Sequence, residues 1–212
     1  MHVLTEAQYK LEAEPILRKI FINDYPFGQP FSPNIIARRV IYPCYNLEQP
    51  FLEALTEAAT KQGDIGCYLS VFWQFESQFS DCYILLSELF EGFISPIPEK
   101  RIEIKLDMLI IPEYILYSAQ GKWGLMISDE HHGLLGGSSE FIEVFYKFLP
   151  DFDNQAYNFL ERMQDLKPDG SFKKLDWLSG MLAHVYGQEA AKKMLQEMES
   201  INRTEINFRP NH

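Results

Sequence analysis

Asp129-Glu130-His131-His132-Gly133 is the densest run of reactive side chains in the sequence. Two carboxylates and two imidazoles in consecutive positions could serve as general acid and base, or offer ligands to a metal. Spacing argues against the metal. Histidines that grip one ion from a helix stand four residues apart, whereas adjacent histidines in extended chain point to opposite sides. Neither the zincin pattern nor its inverse is present, so no metal site is assigned and no cofactor is expected. A β-turn with polar residues at its tip, next to glycine, accounts for the same letters. Asp129, Glu130, His131 and His132 are therefore catalytic candidates only if that turn lines a cleft at the end of a sheet.

A second run, Leu134-Leu135-Gly136-Gly137-Ser138-Ser139, could turn backbone N–H groups toward an anion, as glycine-rich loops do. The Gly-Lys-Ser/Thr ending of a phosphate loop is missing, and so are the three spaced glycines of a dinucleotide site. A tight strand-to-helix turn, with Ser138 capping the helix, explains the letters more simply. Gly136, Gly137 and Ser138 are kept as binding candidates. Trp123 joins them, because it flanks a hairpin turn where an amphipathic ring can stand half exposed. Leu178-Ser179-Gly180 falls inside an expected helix and makes no nucleophile elbow, and His184 on the same helix suits a structural role.

The elements that must position these residues follow from periodicity. Thr5 can cap a helix over 5–21, with Pro15 disturbing its register. Three prolines make 23–33 an extended connection, and 35–42 is a strand candidate closed by Pro43. Residues 49–61 place Phe51, Leu52, Leu55, Ala58 and Ala59 at helical spacing while Glu53 and Glu57 face out. A strand is expected over 65–73, and 82–93 suits either strand or helix. Alternation marks 101–111 as a half-buried strand. A β-meander spans 114–137, with its first turn at Ser118–Gly121. The last third is helical: 138–149 with the stripe Phe141, Ile142, Phe145, Phe148 and Leu149, then 154–164 capped by Asp153, a turn at 168–171, 174–186 stopped by Gly187, and 188–199. The expected fold is α+β, a mixed or mostly antiparallel sheet with packed helices. One compact domain should cover 1–200, its sheet in 1–137 and its helical part in 138–200, followed by a polar, frayed tail over 201–212.

Composition narrows the function classes. Hydrophobic residues make up 46% of the 212 and aromatics 14%, enough for a self-sufficient core and too much for disorder. The formal net charge is −11, which on average repels phosphates and argues against a nucleic-acid partner. Arg38-Arg39 and Lys100-Arg101 are read as solvated pairs. Three cysteines, Cys44, Cys67 and Cys82, form neither a disulfide framework nor a zinc pattern, and are expected as free thiols. No apolar run reaches the roughly 20 residues that span a bilayer, and no basic segment precedes an apolar one at the N-terminus, so no membrane contact and a cytoplasmic location are expected.

The run over 121–137, strand, turn, strand, diglycine and helix, is of the kind found where small bacterial accessory proteins, immunity-type binding modules among them, set a curved sheet against helices, but it carries no diagnostic motif and assigns no family. The expected function is non-enzymatic: a protein-binding or adaptor module, in the manner of an immunity-like neutraliser of a basic partner. The alternative is a small-molecule or hydrolytic enzyme with its site at the 129–133 turn.

Overall fold

A computed structural model describes residues 1–42, 47–72, 81–89, 113–128, 132–165 and 176–207. Among these described residues the strands are β1 (His2–Val3), β2 (Ala37–Ile41), β3 (Gly66–Phe72), β4 (Cys82–Leu85), β5 (Glu113–Ser118), β6 (Gly124–Ile127) and β7 (Gly133–Gly137). They form one sheet in the order β1-β4-β3-β5-β6-β7-β2, with every neighbouring pair antiparallel. The fold is α+β with a helical C-terminal portion. The expected strand over 101–111 and the turn over 168–171 lie outside the described residues. The ambiguous segment at 82 resolves as both elements in turn, strand for β4 and helical backbone over 86–89.

Antiparallel sheets commonly leave one face to water; this one is packed on both. On one face lie α3 (Gln49–Lys61) and α4 (Ser139–Phe148), reaching Leu116, Leu125, Ile127 and Leu135. Against the other face pack α2 (Glu14–Ile20), which α1 (Glu6–Gln8) precedes, with α5 (Gln155–Asp165), α6 (Asp176–Tyr186) and α7 (Gln188–Asn207). These cover Ile115, Tyr117, Met126 and Leu134. Successive strand residues point to opposite faces, so two apolar layers require unbroken apolar runs, and β6 is buried at every position. That is why the central strands lack the polar alternation of a half-exposed sheet.

Glycine makes the close packing possible where the end of α2, the proline-rich connection and α4 press on the strands. Gly124 and Gly136 are cross-strand partners, and over them Phe21 and Phe31 stack with ring centroids 5.0 Å apart. A Cβ on Gly136 would sit 2.5 Å from Ile35 Cγ2 and 2.7 Å from Phe31 Cε1. On the opposite face a Cβ on Gly137 would sit 2.6 Å from Phe141. The diglycine therefore belongs to β7 itself, and its role there is close approach.

Helix ends follow their local chemistry. Thr5 caps α1 in a capping box with Gln8, as its position predicts. Between α1 and α2 the backbone widens into a π turn over Tyr9–Ala13, in which Glu14 N–H reaches Tyr9 C=O. Pro15 has no N–H to give Leu11, and a wider turn accommodates its ring. Ser138 caps α4 through Phe141 N–H at 3.1 Å. Asp153 was expected to cap α5; it instead accepts from Tyr146 (2.6 Å) and Arg39 Nε (3.0 Å), while a 3₁₀ turn over Phe152–Asn154 leads into the helix. The tail expected to fray at 201 stays helical to Asn207, since no glycine or proline interrupts it before Pro210. None of the described helices is long and apolar enough to cross a membrane.

The sheet edge at β2 is sealed by side chains. Val40 N–H donates to Tyr186 Oη at 3.1 Å and Tyr42 N–H to Gln155 Oε1 at 3.0 Å, while Arg39 Nη1 donates back to the Arg38 carbonyl at 2.8 Å. Unpaired edge groups are thereby withheld from other chains.

Candidate functional site

The structure does not present His132 to solvent. His132 is fully buried, which corrects the expectation of a polar tip at this position. Its Nδ1 lies 2.8 Å from Ser128 Oγ, and its Nε2 faces the Pro26 carbonyl at 3.5 Å. Rings close around it: Phe159 at 4.7 Å, Phe27 at 5.5 Å and Trp177 at 5.8 Å, the last nearly parallel. Sequence alone does not supply these aromatic partners, which arrive from the proline-rich connection and from α5 and α6. Asp129, Glu130 and His131 lie outside the described residues. Among the described residues no three of His, Cys, Asp and Glu are grouped to hold a metal. His132→Ala should therefore lower stability by about 2–3 kcal/mol, because it opens a cavity among rings and removes the hydrogen bond between the ring and Ser128 Oγ. A denaturant titration measures this; a midpoint equal to wild type would return the residue to a surface role.

Trp123, expected half exposed, is also fully buried. Its ring stacks on Phe141 at 5.5 Å and its Nε1 donates to Asp64 Oδ2 at 2.9 Å. The same buried carboxylate accepts from Ser118 Oγ at 2.8 Å and from Gln120 N–H at 3.2 Å. Backbone geometry delivers Asp64 there. Gly63, at φ +88°, ends α3 by donating to Thr60 C=O, and Asp64 N–H reaches Ala59 C=O, the paired bonds of a Schellman motif. Asp64 was not singled out from sequence, although Gln62-Gly63-Asp64 after an apolar helix carries the C-cap signal. Gly136, Gly137 and Ser138 are accounted for by strand packing and by the α4 cap.

Other titratable groups are settled by burial. Cys67 and Cys82 are free and buried; loss of hydration raises the Cys67 thiol far out of reach and the Cys82 thiol to about 11. Cys44 lies outside the described residues. Beneath the π turn, burial raises the Asp81 carboxyl, and burial together with Asp81 lifts Tyr9 to about 12. Arg38 and Arg39, expected as solvated charges, are both engaged. Arg39 pairs with Tyr146 and Asp153, while Arg38 donates to the carbonyls of Ile35 (2.8 Å), Ser32 (3.2 Å) and His184 (2.6 Å).

An open groove of about 600 Å³ remains beside α3. Gln49, Leu52, Glu53, Thr56 and Glu57 line it, spaced as one stripe of a helix, with Leu86, Ser87 and Phe148 opposite. Leu52 and Leu86 are buried in its floor, and Glu53 stands exposed at its rim. Glu57 is held below the usual carboxylate range by Lys61 at 2.5 Å, with Lys147 at 3.9 Å. No family model, curated protein or solved structure matches this chain. What the chain can do therefore rests on its own surface chemistry, and the groove is where apolar floor and carboxylates meet. Its signal in the sequence was the pair Glu53 and Glu57 on the outer face of α3; the opposite wall comes from segments far along the chain.

Proposed function

We propose that this protein is a non-enzymatic binding module that seats a basic segment of a protein partner in the α3 groove. The observation that carries the reading is the lining itself. An apolar floor can bury the aliphatic stem of a lysine or arginine, and the carboxylates of Glu53 and Glu57 can receive its cationic head. A net charge of −11 would steer a positive partner toward the surface at long range. Lys61 and Lys147 already share Glu57, which leaves Glu53 as the freer rim carboxylate and sets the groove to prefer a cation on that side. Covering a partner's positive surface in this way is how a neutralising module would work.

The test is capture from a lysate of the source organism by the immobilised wild-type protein and by a Glu53→Lys/Glu57→Lys variant. Surface changes of this kind should cost little stability, about 0.5 kcal/mol each. A basic protein should be retained by wild type, released at about 0.5 M salt, where the Debye length falls to roughly 4 Å, and absent from the variant. Identical capture by the two proteins would overturn the reading.

A further inference from the structure

His184 sits where the proline-rich connection, β2 and α6 meet, and both of its ring nitrogens face donors. Phe31 N–H donates to Nε2 at 3.1 Å, and Arg38 Nη1 lies 3.2 Å from Nδ1. The rings of His184 and Phe31 are stacked at 6.0 Å, and the His184 carbonyl accepts from the same Arg38 nitrogen. A neutral imidazole has one acceptor nitrogen and can take the Phe31 N–H. An imidazolium has none: two ring N–H groups would then face an amide N–H and a guanidinium. We propose that the Phe31–His184–Arg38 junction is an acid-released latch, holding the connection over 22–36 to α6 while the imidazole is neutral and letting it go when the ring takes a proton.

The surroundings reinforce this. Among the described residues the charge bearing on the ring comes from Arg38 of β2, a cation that carries no carboxylate partner of its own. The connection brings the Phe31 amide and ring and the Ser32 carbonyl, the last already taken by Arg38. On α6 itself Tyr186 is committed to Val40. Burial, and then the Arg38 charge, lower the His184 pKa to about 4. A histidine freed into water titrates near 6.5. The open form therefore binds the proton more readily, so opening grows as pH falls from about 6.5 toward 4, and the latch is fully closed above that window.

Two measurements on the folded protein test the latch. The His184 imidazole should titrate, by NMR, more than one unit below the free value, its signal assigned by its absence from a His184→Gln variant. The Phe31 amide, with hydrogen exchange corrected for the intrinsic effect of pH, should open on the order of tenfold more at pH 5 than at pH 7. Glutamine can offer Oε1 to the Phe31 N–H but does not titrate, so in His184→Gln the corrected exchange should be flat across that range. A wild-type imidazole that titrates near 6.5, or corrected Phe31 opening that stays flat between pH 7 and pH 5, would overturn the proposal. Both of those readings come from wild type alone, so they hold even where the variant fails to fold.

Discussion

Phe145→Ala should cost about 3–5 kcal/mol of folding stability, the range for removing a large ring from a packed core. Phe145 is fully buried on α4. It meets Phe152 at 5.3 Å in a stacked pair, Phe51 of α3 at 5.2 Å and Phe141 at 5.5 Å. It is thus the shared neighbour of the two helices that cover one face of the sheet. Neighbouring rings cannot collapse into the gap without leaving their own partners, so the cavity term should be large. Chemical denaturation gives the number, and a midpoint within error of wild type would mean that this face is not the core described above.

Asp64→Ala should cost a comparable amount, about 3–5 kcal/mol, for a different reason. The carboxylate is 3% exposed and takes hydrogen bonds from Trp123 Nε1, Ser118 Oγ and the Gln120 N–H. Removing it strands the buried Trp123 Nε1–H and Ser118 hydroxyl, while the Gln120 N–H keeps Ser118 Oγ at 3.0 Å, and each unsatisfied buried group costs about 1–3 kcal/mol. Trp123→Phe removes one donor and keeps most of the ring, so it should cost less. The two variants combined should fall short of the sum of the separate losses, because they break the same network. Additive losses in a double-mutant cycle would count against the network.

How much of this was legible beforehand depends on range along the chain. The meander at 114–137, the Ser138 cap, the Thr5 cap and the stop at Gly187 rest on signals a few residues wide, and the structure places them as expected. Asp153 shows the limit of such signals, since Arg39 and Tyr146 compete for its carboxylate and win. The burial of His132 and Trp123 depended on partners from distant segments: Phe27 and Trp177 for one, Asp64 and Phe141 for the other. Nothing in Asp-Glu-His-His-Gly says that a lid of aromatic rings will close over its last histidine. The groove is a similar case, one wall periodic and readable, the other supplied by residues 86, 87 and 148.

The place of β2 in the sheet has a consequence for biosynthesis. It comes before five of the six other described strands along the chain but lies at an edge of the described sheet, where, among the described residues, its ladder partner is β7. The register pairs Ala37 with Gly137, so roughly a hundred residues must be added before the strand can dock. At about 5–20 residues per second this is a wait of roughly 5–20 s. Tyr186 and Gln155, which later seal its free side, emerge later still. During that interval a nascent chain carries an unpaired strand whose Val40 and Ile41 are destined for opposite faces of the core. The adjoining Arg38 and Arg39 are then free cations, and they discourage two such strands from pairing with each other. The same two arginines thus have a protective role on the ribosome before they have a structural one in the finished sheet.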